Sequence, residues 1–200
     1  MMKGQQAIGT LFIFIALVIT AALAAFVLVS TTNALQSKSV AVANQTMNKA
    51  TMGFSARQVE GISHANNQIS EILMGVELAP GSGVIDLNDA KIIWTANGGK
   101  VYGEYEYNST LVDFNAATLS FSPALISGKY YVVKNRTSGD DDQFLESGEV
   151  YVLAFQLPQP LLKGQDWSIT MRAPYTQDLY ITGYAPPVIE ANTIVTLKSA

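Results

Sequence analysis

From Gly4 to Ser37 the chain carries no charged residue, and from Ala7 to Val29 only Gly9, Thr10 and Thr20 interrupt an apolar run. A run of this length is enough to cross a bilayer as a helix, which takes about 20 residues. Three fates compete for such a segment. It could be an ordinary secretory signal, with Lys3 as the basic flank, the run to Ala21 as the apolar stretch and Ala22-Leu23-Ala24 as the small-residue cut. It could be a permanent single-span anchor. Or cleavage could fall ahead of the run, after Gly4, so that the helix is kept.

The residues beyond Ala25 bear on the choice. Phe26-Val27-Leu28-Val29 is still apolar, so no polar terminus follows the Ala22–Ala24 cut. The helical pattern then continues, with Val40, Ala43, Met47, Ala50 and Phe54 spaced as one stripe of a helix. No proline occurs before Pro80. The spacing predicts one helix from about Ile8 to Ser55, roughly 70 Å long at 1.5 Å per residue. Its second half is polar on one side yet almost uncharged, with Asn33, Gln36, Ser37, Ser39, Asn44, Gln45, Thr46 and Asn48. A solvated helix face usually carries charge pairs. Their absence implies that even this side meets other protein.

A helix apolar all round is stable in a membrane or in the middle of a bundle. Burying one large apolar side chain contributes about 1.5–3 kcal/mol. Transfer from lipid to a bundle gains less, because lipid tails are already apolar. Close packing must drive that step, and Gly9, Ala16, Ala21, Ala22, Ala24 and Ala25 permit close approach. The side chains expected in such a core are Ile8, Gly9, Leu11, Phe12, Ile15, Ala16, Ile19, Leu23, Phe26, Leu28 and Leu35.

The stretch from Lys3-Gly4-Gln5-Gln6 through Ala7-Ile8-Gly9-Thr10-Leu11-Phe12-Ile13-Phe14-Ile15-Ala16 resembles the start of an archaellin, the archaeal flagellin. Ala21-Ala22-Leu23-Ala24-Ala25 and Leu35-Gln36 resemble that family's Ala/Val block and LQ pair. Leu78-Ala79-Pro80-Gly81-Ser82-Gly83 with Ile85-Asp86-Leu87 resembles its LAPGS…IDL segment. The resemblance implies a type IV prepilin-like leader, residues 1–4, cut between Gly4 and Gln5 by a prepilin-type signal peptidase. It implies a precursor held in the cytoplasmic membrane and a mature subunit that polymerises into the extracellular archaellum filament. That filament would grow on a basal assembly platform and be turned by a motor. Gly9 would be the fifth mature residue, where type IV pilins carry a glutamate, so archaellin is favoured over an adhesion pilin. A secreted or membrane-anchored single-domain binding protein is the alternative of a different class.

Residues 57–200 read as β. Strand-like runs lie at roughly 58–64, 69–78, 90–96, 100–107, 118–121, 129–135, 149–156, 167–172, 178–184 and 192–198, separated by turn signals. Asn97-Gly98 marks a hairpin, and Pro158, Pro160, Pro174, Pro186 and Pro187 mark edges and turns. The expected fold is α+β: a leader at 1–4, a filament-core helix at 5–56, and an immunoglobulin-like β-sandwich at 57–200.

That β region carries nine Lys/Arg against sixteen Asp/Glu, a net charge of −7. An acidic body argues against nucleic-acid binding, which needs a basic face. The chain has no cysteine, so the domain relies on its own core. No Ser/His/Asp set and no phosphate-cradling glycine loop is present, so neither an enzyme nor a required cofactor is expected.

Three Asn-x-Ser/Thr sequons make Asn108, Asn135 and Asn44 glycosylation candidates, the last disfavoured because a glycan there would obstruct helix packing. The densest acidic cluster is Ser138-Gly139-Asp140-Asp141-Asp142-Gln143-Phe144-Leu145-Glu146-Ser147-Gly148-Glu149. Ser138, Asp140, Asp142 and Glu149 share the spacing of a calcium loop, but Gln143 occupies the glycine position. Two readings stand: a solvated loop between strands, or Asp140, Asp142 and Glu149 holding Ca²⁺ or another divalent cation. His64 and the tyrosines Tyr102, Tyr105, Tyr107, Tyr130, Tyr131 and Tyr151 are expected to be strand and packing residues.

Overall fold

The computed structural model describes residues 2–140 and 142–199, with side chains described at 9–47, 52–140 and 142–198. The chain forms two compact units, divided between Thr46 and Met47.

Helix α1 (Met2–Thr51) runs for 50 residues, roughly 75 Å. It stops four residues short of the expected Ser55. Met52 is outside the helix, and Phe54 opens the first strand instead of extending the helical stripe. The cause lies at Gly53, a poor helix former. Its N–H donates to the Ser82 hydroxyl at 2.9 Å, and its carbonyl accepts from the Ala79 N–H at 2.9 Å. The Ala79–Ser82 part of the LAPGS segment therefore fastens the chain just after the helix, and Phe54 is buried in the domain core.

The strands are β1 (Phe54–Ser63), β2 (Gln68–Leu78), β3 (Ile85–Asp86), β4 (Lys91–Ala96), β5 (Val101–Tyr107), β6 (Asp113–Asn115), β7 (Ser120–Ser122), β8 (Lys129–Val132), β9 (Phe144–Leu145), β10 (Val150–Leu162), β11 (Asp166–Arg172), β12 (Leu179–Tyr184) and β13 (Thr193–Ser199). Each of the ten runs expected from the sequence contains a strand, though the 129–135 run leaves the sheet at Val132 and turns into a short 3-10 helix at Lys134–Arg136. The unforeseen ones, β3, β6 and β9, have two or three residues, too short to leave an alternating pattern.

Nine strands bond into one sheet in the order β12-β11-β4-β5-β8-β10-β2-β1-β13. Neighbours are antiparallel except β5 and β8. The sheet folds over so that β12, at one edge, lies beside β1 and β13 at the other. The two layers of the expected sandwich are thus parts of one sheet, where an immunoglobulin sandwich has two. Pro158 and Pro160 sit inside β10, within a bulge where the register with β2 jumps from Gln156↔Glu71 to Leu161↔Ile69. The bulge accommodates residues that lack a ladder donor.

The main core lies inside the fold of the sheet, with Ile72, Met74, Ile92, Trp94, Tyr130, Leu153, Phe155, Trp167 and Ile169. A second cluster, with Ile62, Leu73, Val112, Phe114, Leu119, Tyr131, Val133 and Ala154, lies on the opposite face of the central strands. The β6–β7 hairpin contributes Phe114 and Leu119 to it. Successive residues of β8, Tyr130 and Tyr131, therefore enter different clusters. Burial on both faces turns the alternating pattern of β2, β8 and β10 into continuous apolar runs.

Candidate functional site

The largest uncovered apolar surface among the described residues is α1 itself. Every described residue from Gly9 to Met47 is exposed, with Phe12 at 68% and Phe26 at 71%. Of the expected packing residues, Leu11, Phe12, Ile15, Ala16, Ile19, Leu23, Phe26, Leu28 and Leu35 all lie on this bare surface. Ile13, Phe14, Leu17, Val18, Val27 and Val29 are equally exposed. A surface this apolar in water is unfavourable, because each such side chain forgoes its burial energy. At Gly4, Gln5 and Ile8 only the helical backbone is described.

Four threonine hydroxyls on this helix are satisfied within it. Thr20 donates to the Ala16 carbonyl at 2.9 Å, Thr31 to Val27 at 2.8 Å, Thr32 to Leu28 at 2.7 Å and Thr46 to Val42 at 2.8 Å. Such back-bonding hides the polar atom and removes its desolvation penalty. The segment Gly9–Met47 is long and apolar enough to span a membrane. At Gly9 an added Cβ would meet nothing within the chain.

In the acidic loop, the Tyr151 hydroxyl lies 3.4 Å from Asp140 Oδ1 and 3.4 Å from Asp142 Oδ1, and donates to the Phe144 carbonyl at 3.1 Å. Asp142 accepts from the Phe144 N–H at 2.6 Å. Glu149 accepts from the N–H groups of Asp140 at 3.3 Å and Glu146 at 2.9 Å. Burial, with the charges of Glu149, Asp142 and Asp140 adding to it, pushes the Tyr151 hydroxyl pKa above its ordinary value. The tyrosine stays a neutral donor. Asp141 lies outside the described residues. No group of three His, Cys, Asp or Glu side chains among the described residues is placed to hold a metal ion.

The sequon asparagines differ in engagement. Asn135 bonds both ways with Phe114, its Oδ1 accepting from that N–H at 3.0 Å and its Nδ2 donating to that carbonyl at 2.7 Å. It acts as a backbone substitute that fastens β6. Asn108 accepts from the Thr110 N–H at 2.9 Å, and its Nδ2 makes only a 3.4 Å contact to the Tyr131 hydroxyl. Asn44 is exposed on α1. His64 pairs with Glu71 at 3.0 Å on the surface. Tyr105, Tyr130, Tyr131 and Tyr151 are core residues, while Tyr102 is exposed.

A long apolar helix with no charge from Gly4 to Ser37, joined to a cysteine-free β domain, defines a class of subunit that needs a second environment for that helix. The sequence pattern of the family described as archaeal-type flagellin fits residues 4–182. Flagellin B2 of Methanocaldococcus jannaschii is 39% identical over 107 residues, 54% of this chain and 49% of its own, so the match spans about half of that relative. Flagellin B1 of Methanococcus voltae is 29% identical over 206 residues, covering 98% of this chain and 93% of its own. In fold, the archaeal flagellum of Methanospirillum hungatei strain JF1 matches 96% of this chain and 98% of its own, with TM-score 0.69 at 15% identity. The archaeal flagellin FlaB1 of Methanocaldococcus jannaschii matches 74% of this chain and 98% of its own, with TM-score 0.57 at 18% identity. The chain belongs to the archaeal-type flagellin family.

Proposed function

We infer that this chain is a structural subunit of an archaeal flagellum filament, with α1 forming the polymer core and the β domain the outer wall. The observation that carries this is the bare apolar surface of Gly9–Met47, which has no cover within its own chain. Packing against copies of itself removes that surface from water on every side. Before assembly the same segment is held in the cytoplasmic membrane. A prepilin-type signal peptidase cuts between Gly4 and Gln5, and the released subunit joins the base of an extracellular filament turned by a basal motor.

Mass spectrometry of the mature N-terminus, combined with electron microscopy of surface filaments, tests this reading. A start at Gln5 in a filament-borne subunit is expected. A start at Phe26 in a soluble product would overturn it. Gly4→Leu is expected to leave uncut precursor in the membrane, because the cleaving enzyme must approach this backbone closely.

A further inference from the structure

The second half of α1 has a feature that apolar packing leaves unexplained. Asn33, Gln36, Ser37, Val40, Ala41 and Asn44 line one continuous shallow groove along the helix. Thr31, Thr32 and Thr46 spend their hydroxyls on the helix's own carbonyls. The amides of Asn33, Gln36 and Asn44 make no hydrogen bond among the described residues. The opposite side carries Leu28, Thr32, Leu35 and Val42. Lys38, the only charge between Gly9 and Met47, stands about 140° around the helix from Asn33 at 3.6 residues per turn. The stripe is therefore polar, unbonded and uncharged.

The groove residues Asn33, Ser37, Val40 and Asn44 continue N-terminally through Ser30, Phe26, Leu23, Ile19, Ala16, Phe12 and Gly9 in alternating steps of three and four residues. That 3.5-residue repeat stays on one seam when helices coil around each other, and Gln36 flanks it. We propose that the stripe of Asn33, Gln36 and Asn44 is a registry surface, on which a second copy of this chain lays its own α1 through amide–amide hydrogen bonds. This deepens the filament reading and rests on it.

The chemistry favours a second copy as the occupant. In a helical homopolymer every neighbour presents the same helix, displaced along the axis by the subunit stagger. A stripe of one charge sign would lie near its own kind on the neighbouring copies, and like charges repel. A side-chain amide both donates and accepts, so it is complementary to another amide. A polar residue on a packing seam costs burial energy but penalises every offset that leaves it unpaired, which selects one register. The apolar first half, slippery along its length, supplies adhesion without that selection.

The test uses the full chain in cells that make filaments. The triple change Asn33→Asp, Gln36→Glu, Asn44→Asp alters shape by one atom per residue. It is expected to lower filament yield by at least about tenfold, since buried like charges are left unpaired. The amide-keeping change Asn33→Gln, Gln36→Asn, Asn44→Gln is expected to retain filaments. The change of all three to Leu keeps the helix and its adhesion, and is expected to give filaments whose subunit rise is no longer uniform by electron cryomicroscopy. In the unsubstituted filament, these amides are expected within about 3 Å of a neighbouring helix. Normal yield from the acidic variant, or uniform order in the Leu variant, overturns the registry surface while leaving the filament subunit intact. An unsubstituted chain that forms no filaments overturns the filament reading itself.

Discussion

The indoles of Trp94 and Trp167 stack in parallel, offset planes, ring centroids 5.8 Å apart and planes 4° from parallel. They bridge β4 and β11 at the centre of the main core, and both are fully buried. Gly183 lies opposite Trp167 in the β11–β12 ladder, where an added Cβ would come within 2.8 Å of that ring. Trp167→Ala is expected to destabilise the β domain by about 3–5 kcal/mol, the range for deleting a large core aromatic. Gly183→Val is expected to destabilise it as well, although position 183 is only half-buried. Denaturant unfolding followed by tryptophan fluorescence measures both; a Gly183→Val midpoint equal to wild type would contradict the close fit.

The Tyr151 hydroxyl faces Asp140 and Asp142 together. Tyr151→Phe removes the donor and leaves two carboxylates on an apolar ring edge, so the melting temperature is expected to fall by a few degrees, as for a loss of about 1 kcal/mol. A divalent cation shared by Asp140, Asp142 and Glu149 is tested in the same scans. Stabilisation by added Ca²⁺, reversed by a chelator and absent from a variant with Asn at 140 and 142 and Gln at 149, supports the cation. Identical curves assign the stretch to Tyr151 and backbone donors alone.

Ala16→Asp places a carboxylate on the most apolar part of α1. In a bundle that charge has no partner and costs several kcal/mol. Filaments are expected to disappear, while the β domain keeps its far-ultraviolet spectrum and melting temperature. Filaments from this variant would mean that Ala16 does not face a neighbour.

On the β4–β5–β8 surface, Lys91 pairs with Glu104 at 2.9 Å and Lys129 with Glu106 at 3.0 Å. The hydrogen bond from Lys91 holds Glu104 below its ordinary 4.5, and that from Lys129 does the same for Glu106. A depressed carboxylate stabilises the fold above its unfolded pKa, and that contribution is lost as pH falls through the folded value. The melting temperature of the β domain is therefore expected to drop as pH is lowered below 4.5, and the drop is expected to be shallower in Glu104→Gln/Glu106→Gln. Salt is expected to weaken the effect, because all four groups are exposed.

Asn135 uses both ends of its amide on Phe114, whereas Asn108 spends only its oxygen firmly. Glycopeptide mass spectrometry is expected to find higher occupancy at Asn108 than at Asn135. Asn135→Ala is expected to cost about 1–3 kcal/mol by leaving the Phe114 backbone groups unpaired, a loss that Asn108→Ala should not match.

Ten of the strands and the N-terminal helix were legible in residue order, because periodicity and apolar runs are local signals. An uncharged helix declares its need for an apolar environment wherever it ends up, and alternation declares a strand before its partner is known. The sites were less legible. The Ser138–Glu149 spacing shows the carboxylates, and only the fold shows that Tyr151, a strand residue, places its hydroxyl between Asp140 and Asp142. The sequon marks Asn135, and only the fold shows that its amide completes the pairing of β6, twenty-one residues earlier. The helix was expected to run on to Ser55, and it stops at Thr51 because Ser82 and Ala79 bind Gly53. Sequence alone determined which segments seek burial and with what period. Only the tertiary structure decided that one sheet folds over itself, that the central strands are covered on both faces, and which polar side chains are spent inside the domain. Those outcomes depend on contacts between residues distant along the chain, and no local pattern encodes them.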